Sequence, residues 1–91
     1  MYGFPAEVTF ASANAALDAA AAAQAGPERL YDLSACRRFD SSLIAVLLEL
    51  ERRARGVGAA CSFQGAPGAL LELARLYGVE PLLFQAANLP A

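Results

Sequence analysis

The sequence contains no histidine, no tryptophan and no lysine, and it has only two cysteines. These cysteines, Cys36 and Cys61, lie far apart, and neither belongs to a C-x-x-C pair. Protein zinc and iron sites are built mainly from clustered cysteine and histidine, so the composition argues strongly against such a metal site. We therefore expect two small buried thiols, no bound metal and no cofactor.

Clustered positive charge is also missing. The net charge is −2, all seven basic residues are arginine, and they form no basic run. Because phosphate contacts need clustered lysine and arginine, we expect no nucleic-acid ligand. The start of the chain lacks the pattern of a signal peptide, and the alanine-rich stretch 13–25 is too short and too polar to span a bilayer. We expect a cytoplasmic protein without direct membrane insertion.

Catalytic motifs are absent as well. The sequence has no paired acid cluster, no G-x-x-x-x-G-K-S/T and no G-x-S-x-G. With no histidine in the chain, Ser41 would have only carboxylates to activate it as a nucleophile. We predict that the protein is not an enzyme.

The 91 residues, 57% of them hydrophobic, are enough for one globular domain over residues 1–91. The pattern predicts strands at 8–10, 30–33 and 61–64. It predicts helices at 13–25, after a Ser12 N-cap, and at 41–55 and 69–77. The apolar ending at 82–84 is expected to pack back on the rest of the domain. This β-α-β-α-β-α order predicts an α/β fold, with helices packed on a mixed, mostly parallel sheet. The modest core of so short a chain makes a partner or a homodimer plausible.

The predicted helix 41–55 has two distinct sides. The side expected to face the core carries Leu43, Val46, Leu47, Leu50 and Ala54. The opposite side carries Ser41, Ile44, Ala45, Leu48, Arg52 and Arg55. Branched aliphatic residues at 44 and 48 favour a partner-facing patch. The alternative is that another element of the same domain covers them.

Asp40, Ser41 and Ser42 stand where this helix begins. Aspartate and serine are common N-caps, so a helix cap is the simplest interpretation. Free N–H groups and the positive end of the helix dipole also favour anions, so the second interpretation is a partner contact or a phosphorylation site at Ser41. A phosphate there would place about two negative charges beside Ile44 and Leu48 and would weaken an apolar interface.

The chain also carries Asp-Leu-Ser at 32–34, Phe-Asp-Ser-Ser at 39–42 and Ala-Val-Leu-Leu-Glu-Leu at 45–50. Together these segments resemble the signature of STAS domains, the anti-sigma-factor antagonist fold. Phe-Gln-Gly at 63–65 and the stretch 70–79 are similar to the ending of the MlaB-like branch. That branch is the cytoplasmic STAS subunit of the Mla phospholipid ABC transporter, where it binds the ATPase subunit. The resemblance covers roughly residues 4–84.

The resemblance implies a STAS-like interaction or regulatory subunit. On the MlaB-like side, its partner would be the ATPase of a transporter involved in outer-membrane lipid asymmetry, and the chain would be peripheral at the inner membrane through that partner. The alternative is an anti-sigma-factor antagonist that a partner kinase phosphorylates on serine. Ser41 matches the family's phosphorylated or ATPase-contacting hydroxyl residue. We predict a partner interface that consists, besides Ser41, of Asp40, Ser42, Ile44, Ala45, Leu48 and Arg52.

The chain departs from the family pattern at two places. Leu43 stands where the family usually has glycine, two residues after the hydroxyl residue. On the helix count Leu43 points into the core, so the change affects packing, but it makes a kinase-docking role harder to assign. Residues 1–10 are also too few for the family's full opening strand or hairpin. We therefore expect a short or exposed sheet edge that could pair with another chain.

Overall fold

The computed structural model describes residues 1–84. The strands are β1 (Tyr2–Gly3), β2 (Glu7–Val8), β3 (Glu28–Asp32), β4 (Arg38–Phe39) and β5 (Ala60–Gln64). The helices are α1 (Ala13–Ala23), α2 (Ser41–Gly56), α3 (Gly68–Leu76) and α4 (Glu80–Phe84). The predicted α/β class is confirmed. The predicted domain over residues 1–91 includes residues 85–91, which lie outside the described residues.

The described strands form two sheets, and every pairing in them is parallel. The larger sheet has the order β1-β3-β5, and the smaller one pairs β2 with β4. The central strand β3 aligns Tyr31 with Tyr2 on one side and with Phe63 on the other. The rings of Tyr31 and Phe63 stack with centroids 5.4 Å apart, so the register of the sheet also builds the core.

The opening segment holds two short strands, β1 and β2. The predicted strand at 8–10 is wrong beyond Val8, because Thr9 to Ser12 form a turn in which the Ser12 N–H donates to the Thr9 carbonyl at 2.9 Å. Ser12 does precede the first residue of α1, but its hydroxyl oxygen accepts the Thr9 N–H instead of capping the helix. Phe10 is therefore outside any strand and 86% exposed.

The edge strand β1 pairs with only the last part of β3. Before that point, the Leu30 N–H of β3 donates to the Gln24 side-chain oxygen at 3.1 Å. This side chain occupies a backbone donor that would otherwise be available to an added strand. Pairing with a second copy of the chain stays a prediction.

Helix α2 packs its predicted core side inward, since Leu43, Val46, Leu47, Leu50 and Ala54 are all buried. Ile44 is also buried, with only 3% of its surface exposed, and belongs to the same core cluster. This agrees with the alternative that the domain itself covers Ile44, and it corrects the prediction that Ile44 faces a partner. The neighbouring Leu48 is half-buried and packs against the core, while Ala45 is exposed.

The C-terminal part of the described chain differs from the prediction in detail. Helix α3 buries Leu70 and Ala74, whereas Tyr77, the last residue of the predicted helix 69–77, is the C-cap and is 51% exposed. The apolar ending forms α4, where Leu83 is buried and the Phe84 ring lies 6.3 Å from that of Phe63. The predicted packing of this segment on the body is confirmed for these two side chains.

Candidate functional site

Asp40 is the N-cap of α2. Its Oδ1 accepts the backbone N–H of Ser42 at 2.9 Å and also the Ser42 hydroxyl. This contact satisfies one of the N–H groups that the first helical turn leaves without an intrahelical partner. The simplest interpretation of the Asp-Ser-Ser sequence, a helix cap, is therefore confirmed for Asp40, with Ser42 as its donor.

The second oxygen of Asp40 makes a contact distant in sequence. Asp40 Oδ2 accepts the backbone N–H of Phe10 at 3.0 Å, across a separation of 30 residues. The Ser42 hydroxyl, followed by the Phe10 and Ser42 amides, holds the pKa of Asp40 below its usual value because these donors favour the carboxylate. The start of α2 is thereby linked to the turn that precedes α1.

Ser41 is the first residue of α2, and it is exposed. The hydrogen bonds to the Asp40 carboxylate come from Ser42 and Phe10, and none of them uses Ser41. The two adjacent serines therefore have different positions. Ser42 is half-buried and holds the cap, whereas Ser41 presents its side chain at the surface.

Farther along α2, the exposed side continues through Ala45 to Arg52. Arg52 and Arg53 both donate to Glu49, with the closest contacts at 2.7 Å. The hydrogen bonds from Arg52 and then Arg53 lower the pKa of Glu49 to about 2. Glu49–Arg53 and Glu51–Arg55 form ion pairs at i,i+4 spacing, and Arg52 pairs with Glu49 at i,i+3 spacing. The positive charges of Arg52 and Arg53 are thus partly neutralised by Glu49 on the same helix.

A groove of about 460 Å³ separates the N-terminal turns of α1 and α2. It is lined by Phe10, Ala11, Ala13, Asn14, Leu17, Ser42, Ala45 and Val46. The walls are mostly small or aliphatic, and the exposed ring of Phe10 lies at the groove. Of the predicted interface residues, the structure brings Ser42 and Ala45 to this groove, with Asp40 bonded to both Ser42 and Phe10.

Sequence reasoning missed the contribution of the α1 side of this groove. The predicted strand at 8–10 includes Phe10, and the predicted interface begins only at Asp40. The presence of an aromatic residue just before a helix is visible in the sequence. Its exposure is not, because that depends on the Thr9–Ser12 turn and on the bond to Asp40.

The Asp-Leu-Ser motif at 32–34 shapes the carboxyl end of the larger sheet. Asp32 Oδ1 accepts the Ser34 N–H at 3.0 Å, and the Leu33 N–H donates to the Gln64 carbonyl at 2.8 Å. Bonding to Ser34 lowers the pKa of Asp32. Gly65, with φ +71°, packs directly against Asp32 and Ser34. The Asp-Leu-Ser segment at 32–34 and the Phe-Gln-Gly segment at 63–65 are therefore in close contact.

The two thiols are free. Cys36 is buried and Cys61 half-buried. Burial and, next, the nearby Glu51 carboxylate raise the pKa of Cys61 to about 12, because both disfavour a thiolate. Within residues 1–84 the structure places no three His, Cys, Asp or Glu side chains together in a group that could hold a metal ion.

These features describe a small α/β domain whose candidate site lies at the start of α2. Residues 6–84 match the family model described as "Mlab, STAS domain", so the chain belongs to the MlaB-like STAS domain family. No curated protein matches the chain. STAS domains generally have regulatory, protein-binding roles without enzymatic activity. Across the part of the chain that the structure describes, none of the helices has the length and apolar character needed to cross a membrane.

Proposed function

We propose that the chain is a non-enzymatic subunit that binds the cytoplasmic ATPase of an Mla-type phospholipid ABC transporter involved in outer-membrane lipid asymmetry. The observation that carries this proposal is the match of residues 6–84 to the family model described as "Mlab, STAS domain". The chain would then lie at the inner membrane through its partner.

The proposed contact surface consists of Asp40, Ser41, Ser42, Ala45 and Arg52, with half-buried Leu48 at its border. Ile44 is excluded because it lies in the core. The groove beside Ala45 and the exposed ring of Phe10 extend this surface towards α1. An aromatic ring beside small residues is a suitable anchor, because aromatic side chains often dominate the binding energy of protein interfaces.

Ala45 provides the sharpest test of this surface. It is exposed, lines the groove and lies one turn after Ser41, so Ala45→Asp should leave the fold intact. The new carboxylate would be desolvated on binding without a designed partner, which should weaken binding roughly tenfold or more. Leu48→Asp is a poorer test because Leu48 packs against the core and its replacement would also destabilise the domain.

The experiment measures binding of the purified chain to the Mla-type ATPase subunit from the same cell, for example by calorimetry. Val57→Asp is the matched control, since Val57 is 68% exposed just beyond the opposite end of α2. We expect Ala45→Asp to weaken binding and Val57→Asp to leave it unchanged. Absence of binding by the unchanged chain would refute the ATPase as partner, and equal binding by both variants would refute the proposed surface.

The exposed position of Ser41 also supports the second candidate function, an anti-sigma-factor antagonist controlled by serine phosphorylation. A kinase can reach a hydroxyl on the first turn of a helix more readily than one that is engaged in a cap, as that of Ser42 is. This function predicts a mass gain of one phosphate on Ser41 in cells. Unmodified protein under several growth conditions, together with ATPase binding, would favour the transporter role.

A further inference from the structure

The turn before α1 holds Phe10 in one position. The Thr9 N–H donates to the Ser12 hydroxyl oxygen at 3.0 Å, and the Ser12 N–H donates to the Thr9 carbonyl at 2.9 Å. Phe10 lies inside this closed turn, and it is the most exposed large apolar side chain within residues 1–84, at 86%. Exposure of a phenyl ring to water is unfavourable, and here it accompanies a turn whose backbone is held by hydrogen bonds.

The Asp40 carboxylate supplies such a contact. Its Oδ2 accepts the Phe10 N–H at 3.0 Å, while its Oδ1 accepts the Ser42 N–H at 2.9 Å and the Ser42 hydroxyl. One carboxylate therefore serves two functions, as cap of α2 and as anchor of the Phe10 turn. Any change that draws the carboxylate away from one set of donors also alters the other.

We propose that Asp40 is a positioning residue that couples the charge on Ser41 to the position of Phe10 beside the groove between α1 and α2. Negative charge on the Ser41 side chain would release the Phe10 amide from Asp40 and move the ring. The consequence for partner binding rests on the function proposed above, whereas the coupling is a property of the chain alone.

The physical basis is charge repulsion at the first turn of α2. A phosphate on Ser41 carries about two negative charges. It repels the neighbouring Asp40 carboxylate and pushes it away from its present position. The two donors of Ser42 hold Oδ1 from the same helix, while Phe10 holds Oδ2 from a separate turn, so the Phe10 contact is the one that yields.

Amide exchange of Phe10, followed by NMR in the free protein, tests this coupling directly. The chain is prepared with Ser41 and with phosphoserine at position 41, each with Asp40 and with Asp40→Asn. Asparagine still caps a helix but lacks the charge that the phosphate repels. With Asp40 present, phosphorylation should speed Phe10 amide exchange roughly tenfold, since a hydrogen bond to a charged group is lost. With Asp40→Asn, the same modification should change it less than about twofold.

Phosphoserine in place of Val57, just beyond the far end of α2, is the control for added charge, and it should leave the Phe10 amide unchanged. Slow exchange at Leu70 and Ala74, both buried in α3, verifies that each variant is folded. If phosphorylation unfolds the chain, Ser41→Glu gives the same comparison with one negative charge. An unchanged Phe10 amide, or an equal change with Asp40 and with Asp40→Asn, would overturn the coupling. Neither result depends on the ATPase, so the proposed function is judged separately by binding.

Discussion

Gly65 lies directly against Asp32. A Cβ atom at position 65 would be 2.9 Å from Asp32 Oδ1 and 3.0 Å from the Ser34 Cβ, and the φ of +71° at Gly65 is one that other residues rarely adopt. The close approach lets the turn after β5 pack on the turn after β3. A glycine is required here for two independent reasons, space and backbone conformation.

Replacement of Gly65 by alanine should therefore destabilise the domain. We expect the free energy of unfolding to fall by roughly 1–3 kcal/mol, because both the backbone conformation and the contact with Asp32 become strained. Urea denaturation of the two proteins measures the difference. Gly26→Ala is the matched control, since nothing lies within 4 Å of its added Cβ. Equal losses in both variants would contradict the role assigned to Gly65.

Ile44 and Ala45 are neighbours with opposite environments. Ile44 is 3% exposed and belongs to the core, whereas Ala45 is exposed. Ile44→Ala should lower the free energy of unfolding by roughly 2–4 kcal/mol, since it leaves a cavity in the core. Ala45→Asp should change it by less than about 1 kcal/mol. Urea denaturation of both variants checks the assignment, which fails if Ile44→Ala is as stable as the unchanged chain.

The ion pairs of Glu49 predict a dependence of stability on pH. Arg52 and Arg53 lower the pKa of this carboxyl from 4.5 to about 2 in the folded chain. Above 4.5 the carboxyl is ionised in both folded and unfolded chains, and the stabilisation is fully present. As the pH falls towards 2, the unfolded chain takes up the proton first and the stabilisation is lost.

Urea midpoints of the unchanged chain and of Glu49→Gln, measured from neutral to acidic pH, test this expectation. The unchanged chain should be slightly more stable at neutral pH, and the difference should vanish across that acidic window. Glu72→Gln is the control, because its contact with Arg75 is longer, at 3.8 Å, and Glu72 is 79% exposed. The effect of Glu49 should also shrink at high salt, as these pairs lie at the surface. A difference that grows on acidification would contradict the assignment.

Cys61 should be unreactive in the folded chain despite being only half-buried. Raising its pKa from 9.0 to about 12 lowers the thiolate fraction roughly a thousandfold at neutral pH, and the thiolate is the reactive form. Alkylation by iodoacetamide should therefore be slow until the chain is unfolded in denaturant. The Val57→Cys variant places a thiol on a 68% exposed position and should be labelled rapidly at that site. Labelling of Cys61 at the same rate would show that the thiol is not protected.

Local pattern was sufficient to predict much of the fold. The sequence predicts the helix α1 from its alanines, the core side of α2 from its apolar spacing, and the α/β class from the alternation of strands and helices. The structure confirms all three predictions. Two-residue strands such as β4 were missed because so short a segment has no periodicity of its own. Ile44 was misplaced because the sequence shows an apolar side but not which neighbouring element covers it.

The candidate site divides in the same way. The Asp40 cap and the family could be predicted without coordinates, since both depend on residue types at fixed spacing. The exposure of Phe10 beside the same groove as Ser42 and Ala45, and the bond from its amide to Asp40, emerge only from the folded chain. That contact joins residues 30 positions apart, and no local preference specifies it. It forms because parallel strands bring the starts of α1 and α2 to the same end of the molecule.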